Sequence, residues 1–128
     1  MFLECARVLK YWYGTLRKPV EQSLHLGWEV LLGLDIQGAR QIRRSGLPVT
    51  TIFLLPPSMT VLRERLKRRG TETSAQIQAR LKLARRELGE VRYYDYAVVN
   101  DRLKEAIETV RLIVRAERFR VNPNQKPC

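Results

Sequence analysis

Apolar and polar positions along the chain mark out alternating strands and helices. Val30, Leu31, Leu32 and Leu34 are apolar on both parities, the pattern of a strand buried on both faces of a parallel sheet. Asp35 then stands at that strand's carboxyl end. A helix is predicted from near Gly38 through Arg44, broken by Ser45, Gly46 and Pro48. A second buried strand is expected over residues 49–55, VTTIFLL, stopped by Pro56 and Pro57. Ser58 can cap the next helix, in which Val61, Leu62 and Leu66 face inward and which ends at Gly70. Another helix is predicted from near Ser74 to Glu90, with Ile77, Leu81, Ala84 and Leu88 on one face. Residues 96–100, YAVVN, read as a third short strand. Asp101 is placed to cap a last helix, whose stripe of Leu103, Ala106, Ile107, Val110, Ile113 and Val114 should cover the sheet up to about Arg120. This order is that of an α/β domain with a parallel sheet.

Before the central strand, the chain starts with a short apolar stretch around Glu4 and continues as LKYWYGT over residues 9–15. Tyr11 and Tyr13 alternate with Lys10, Trp12 and Gly14, and Gly14 allows a tight turn. An aromatic strand edge running into Gly-Thr could stack a base or hold a phosphate through hydroxyls; plain hairpin and core residues have the same pattern. Pro19 suits the first turn of a helix that Gly27 ends, with His25 on its surface and outside any site. The tail VNPNQKPC has no apolar periodicity and is expected to be disordered.

Composition narrows the class. A length of 128 residues with 45% hydrophobic side chains fits one folded domain. No apolar run approaches a membrane span, and the start MFLECAR lacks the basic-then-apolar order of a signal peptide, so the chain reads as cytoplasmic. Cys5 and Cys128 have no metal-ligand spacing and read as free thiols. The 24 Lys+Arg against 13 Asp+Glu give a net charge of +11, which favours polyanionic partners without choosing among them. Much of that charge lies at RERLKRR, residues 63–69, and at Arg80, Arg85 and Arg86, on two helices around a Gly-Thr turn. Such helices could close over phosphates as a lid, because guanidinium forks match phosphate oxygens. A solvated face or a nonspecific nucleic-acid patch would carry the same charge. Asp35 likewise has two readings, a ligand or metal contact at the strand end and a helix cap.

Taken together, FLECARV with YWYGT, LDIQGARQIR, FLLPPS with LRERLKRRGTET, and YDYAVVND resemble the guanylate kinase family, in the same order and over nearly the whole chain. The resemblance implies a P-loop nucleoside monophosphate kinase-like parallel sheet flanked by helices. It also implies a single domain in which residues 1–27 belong to the GMP-binding region, 28–120 form the core with a lid at about 66–80, and 121–128 are a tail. The implied activity moves the γ-phosphoryl group of ATP onto GMP with Mg2+. Glu4 is similar to the family's glutamate that accepts from guanine N1 and the exocyclic amine, Thr15 to the hydroxyl that contacts guanine, and Tyr13 to the tyrosine that holds the GMP phosphate. Asp35 resembles an acid near GMP and the metal. Arg65 and Arg69 resemble lid arginines at the ATP phosphates and adenine, Arg80 an arginine at the transferring phosphates, and Asn100 the adenine-side turn. Arg65, Arg80 and Asp35 are thus the implied catalytic set.

The sequence also departs from the family pattern. None of its 128 residues resembles the first strand and Gly-rich loop GxxGxGK[ST] that cradles the ATP phosphates, so the domain reads as incomplete and the isolated chain is expected to be inactive. Gly33 stands where the family usually has a further acid. Strands lacking their shared neighbour would leave backbone groups unpaired unless a protein partner or self-association completed the sheet. A noncatalytic guanylate-kinase-like interaction module and a basic nucleic-acid binder are the other classes the sequence leaves open.

Overall fold

Phe2–Val8 (β1) and Tyr11–Leu16 (β2) form an antiparallel hairpin in the computed structural model, which describes residues 1–121. The pairing of Val8 with Tyr11 leaves a two-residue loop, and Leu9 takes a left-handed φ of 54° to close it. The turn expected at Gly14 is therefore at Leu9-Lys10 instead. Gly14 is a strand residue, and its lack of a side chain serves close packing: a Cβ there would lie 2.9 Å from Phe2 Cδ1.

Arg17–His25 (α1) follows directly, with Pro19 in its first turn, and ends before Gly27. His25 is exposed and donates from Nδ1 to the Glu21 carbonyl at 2.7 Å. Ile36–Arg43 (α2) packs on β1. Leu3, Val20 and Ile42 form a small core with Leu24, Leu32, Leu34 and Leu47 around it. These elements make up the first of two compact units, Met1–Val49.

The central strand expected over residues 30–34 is not formed. Among the described residues, ladders join only β1 to β2 and, in the second unit, Ile52–Leu55 to Tyr96–Val99. Leu31 is 81% exposed, although Leu32 and Leu34 reach the core. The apolar run supplies side chains for burial on two faces, but a strand also needs a neighbour to receive its backbone N–H and C=O groups, and this segment has none in a ladder.

The second unit begins at Thr50. Ile52–Leu55 (β3), shorter than expected, pairs in parallel with Tyr96–Val99 (β4). Thr51 and Asp95 tie the start of this pair: Thr51 donates to Asp95 Oδ2 from its backbone N (2.7 Å) and its hydroxyl (3.0 Å). Met59–Arg69 (α3) is capped by Ser58, whose Oγ accepts from Val61 N at 3.1 Å, and Ser74–Glu87 (α4) by a reciprocal Thr73–Gln76 capping box. The two helices pack through Leu66, Ile77 and Leu81, with Met59 and Leu62 at the edge. The helix expected to reach Glu90 changes at Leu88 to a 3₁₀ segment, Leu88–Tyr93.

Leu103–Glu117 (α5) packs on β4. Asp101 does not cap it, because the helix starts one residue later than expected and Arg102 occupies the cap position without a side-chain bond. Its apolar stripe is only partly covered: Ala106 is buried, whereas Leu103 and Ile107 are exposed. The architecture is a mixed α/β chain with a parallel strand pair flanked by helices. The expected disordered tail lies, apart from Val121, outside the described residues, as does Cys128; Cys5 is a half-buried free thiol.

Candidate functional site

Three of the residues singled out in the sequence converge in the first unit. Glu4 on β1 lies directly opposite Thr15 on β2, and Thr15 Oγ1 donates to Glu4 Oε1 at 2.6 Å. Glu4 is 4% exposed, an acid held inside the unit. An ionised carboxylate has about four acceptor positions, so one hydroxyl leaves most of that capacity unused. Asp35 caps α2 by accepting from Gly38 N at 2.9 Å, which realises the capping reading of this residue. Glu4 Oε2 and Asp35 Oδ1 lie 2.8 and 3.3 Å from the point where a Cβ of Gly38 would stand, so two carboxylates flank the first turn of α2. The positive end of the helix dipole favours both. Tyr13 shares the strand face of Thr15 by alternation and is exposed.

The remaining candidates lie in the second unit. Arg65 on α3 donates from Nη1 to the Asn100 carbonyl at 2.7 Å and from Nη2 to the Asp101 carbonyl at 2.9 Å. The arginine and Asn100 are thus brought together, with the guanidinium fork spanning the turn that follows β4. Arg80 on α4 donates from Nε to Glu72 Oε1, and Glu72 Oε2 is buried without a hydrogen-bond partner. Arg69 is exposed at the end of α3.

Sequence reasoning missed Gln37, Gln41 and Glu72, which hold candidate residues or their strand in place. Gln41 Oε1 accepts from Cys5 N at 3.0 Å while its Nε2 donates to Cys5 O at 2.7 Å, and Gln37 Nε2 donates to Arg7 O at 2.9 Å. The available signal was two glutamines at i and i+4 just after a cap.

A strong electrostatic perturbation occurs elsewhere. Arg120 donates to both Glu117 oxygens at 2.7 Å and Tyr96 OH donates to one at 2.6 Å. These bonds, with the arginine's the larger cause, lower the Glu117 pKa to about 2, and Arg120 is held more firmly protonated.

Magnesium is implied by the family resemblance. Among the described residues no three His, Cys, Asp or Glu groups converge, and Asp35 already commits one oxygen to its cap. Magnesium is ordinarily held by one or two carboxylates together with substrate phosphates and water, so among the described residues Asp35 is the side chain that would contribute to such a site rather than enclose it.

Fold and site define an α/β protein that presents a buried carboxylate in a hairpin and arginines on a helical pair. Residues 1–117 match the family model for guanylate kinase. The guanylate kinases of Caldanaerobacter subterraneus and Thermotoga maritima are each 44% identical over 124 residues, covering 97% of this chain and 60% of those proteins. That of Clostridium tetani is 43% identical over 121 residues, covering 94% of this chain and 58% of its own. A crystal structure of guanylate kinase from Anaplasma phagocytophilum superposes with a TM-score of 0.75 at 34% identity, covering 94% of this chain and 57% of that one. The chain belongs to the guanylate kinase family. It spans about 60% of the length of the curated relatives it matches. No helix among the described residues is long and apolar enough to cross a membrane.

Proposed function

We propose that this chain contributes the monophosphate-recognition hairpin and the arginine-bearing helices of an ATP:GMP phosphotransferase. The observation that carries the reading is the buried Glu4 carboxylate held by the Thr15 hydroxyl. Guanine presents two adjacent donors, N1–H and the exocyclic amine, which a carboxylate can accept together. Adenine has an acceptor at N1, so the same site leaves a lone pair facing the carboxylate. Glu4 therefore chooses the base, Thr15 orients Glu4, and the exposed Tyr13 hydroxyl is free to meet the monophosphate. Asp35 fixes the start of α2 beside Glu4. On the ATP side, Arg65 shapes the turn at Asn100, and Arg69 and Arg80 supply guanidinium groups to neutralise charge on the phosphates. Both units belong in this reading to one kinase domain.

The test is calorimetric titration of the 128-residue chain with GMP and with AMP. GMP should bind more tightly, and Glu4→Gln should reduce that preference roughly 10- to 100-fold, as for loss of a hydrogen bond to a charged group. Equal binding of both nucleotides by the folded chain overturns the reading. Binding that ignores the base and falls steeply with salt would mark a nonspecific polyanion binder instead.

A further inference from the structure

We propose that the face of α2 formed by Gln37, Gly38 and Gln41 is the positioning device for Glu4, and through it a determinant of guanine selectivity. The proposal rests on the reading of Glu4 as the guanine acceptor. The edge of β1 away from β2 would normally pair with a third strand. Here the Gln41 side-chain amide takes that place, accepting from Cys5 N and donating to Cys5 O as a neighbouring peptide would. Gln37 adds a single donated bond, from Nε2 to Arg7 O. The match is one of spacing: four residues of helix rise about 6 Å, and two residues of strand advance about 6.6 Å, so glutamines at i and i+4 meet carbonyls at j and j+2.

Gly38 lies on the same face and explains how close α2 comes. A Cβ at Gly38 would stand 2.8 Å from Glu4 Oε2, nearer than side-chain carbons approach such atoms. Any larger residue there would have to displace the buried Glu4 carboxylate or push the helix away. Glu4 is thereby fixed three ways: Thr15 holds Oε1, the first turn of α2 limits Oε2, and Gln41 pins the peptide that follows it. A carboxylate that must accept from two guanine donors at once depends on its orientation, and a small displacement weakens both bonds together.

The test uses the full chain with Gln41→Met, which keeps the length of the side chain and removes both bonds, and with Gly38→Ala. Affinities for GMP and AMP are measured by calorimetry on samples whose folding is checked by circular dichroism. The expected result is a GMP-over-AMP preference reduced about tenfold, toward that of Glu4→Gln, with AMP affinity nearly unchanged. A purely structural role would instead weaken both nucleotides alike, and that outcome overturns the proposal. So does an unchanged preference in folded Gln41→Met, which decides the matter if Gly38→Ala does not fold. If Glu4→Gln abolishes the preference while Gln41→Met leaves it intact, the positioning proposal fails alone. If Glu4→Gln changes nothing, the reading of Glu4 fails and the proposal falls with it.

Discussion

Replacing Thr15 by valine isolates the bond on which the candidate site depends. Valine matches threonine in shape and strand preference, so the hairpin keeps its packing and loses one hydroxyl. That hydroxyl donates to Glu4 Oε1 at 2.6 Å, and Glu4 is 4% exposed. Loss of a hydrogen bond to a charged group costs about 1.5–3 kcal/mol, and here the group left behind stays buried beside a new methyl. Backbone propensity, which changes by a few tenths of a kcal/mol at most, cannot offset this. Thr15→Val should therefore lower unfolding stability by about 1.5–3 kcal/mol, roughly a 10- to 150-fold change in the folded-to-unfolded ratio. The assay is urea unfolding, read as a shifted midpoint at constant slope, together with amide exchange of the β1–β2 hairpin. Thr15→Ser, which keeps the donor, should stay within about 1 kcal/mol of the parent. If Thr15→Val matches the parent and Thr15→Ser is no different from it, the hydroxyl is not holding Glu4 and the reasoning fails.

Two further predictions concern the second unit. Leu81 is 1% exposed between α3 and α4, so Leu81→Ala should cost about 2–5 kcal/mol, whereas the exposed Leu88→Ala should cost about 1 kcal/mol or less; amide exchange along α3 and α4 would show the difference. Glu117 has its folded pKa lowered from 4.5 to about 2, so its stabilising contribution is present above pH 4.5 and is lost as the pH falls toward 2. Arg120→Gln should flatten the acid dependence of α5 helicity over that window, and an unchanged acid profile would contradict the assignment.

Where each element has a local cause, the sequence was sufficient. Ser58 caps α3, Gly70 ends it, and the stripe of Leu62, Leu66, Ile77 and Leu81 brings α3 and α4 together, all from signals within a few residues. Residues 30–34 carry the apolar pattern of a buried strand yet form no ladder, because pairing depends on a partner that no local pattern encodes. The Gly14 error has a different origin. Glycine marks both tight turns and close approaches, and Phe2, 12 residues away, decides which. Pattern and charge raised Asp35, the stretch at residues 13–15 and the basic helices, each with two readings; their specific roles came from the family resemblance, and composition alone did not separate a lid from a solvated basic face. The glutamine bonds to β1 were hidden for a related reason: an amide matters there only once helix and strand are known to lie side by side.

The arginines that the sequence groups together occupy different states, and the difference bears on the proposed lid. Arg65 has both terminal nitrogens on backbone carbonyls, at Asn100 and Asp101, so its fork is oriented toward that turn and its charge acts from a fixed place. Arg80 is held through Nε by Glu72, which leaves its outer nitrogens without a hydrogen bond among the described residues. An arginine anchored by its inner nitrogen still presents the edge that matches two phosphate oxygens, and its counter-ion limits the side-chain freedom lost when they arrive. In the proposed reaction Arg80 is therefore the residue poised to take up charge on the transferring group, while Arg65 braces the turn at which the adenine side would form. The same basic composition that left lid and surface indistinguishable in the sequence resolves, at the level of individual nitrogens, into one structural and one available guanidinium.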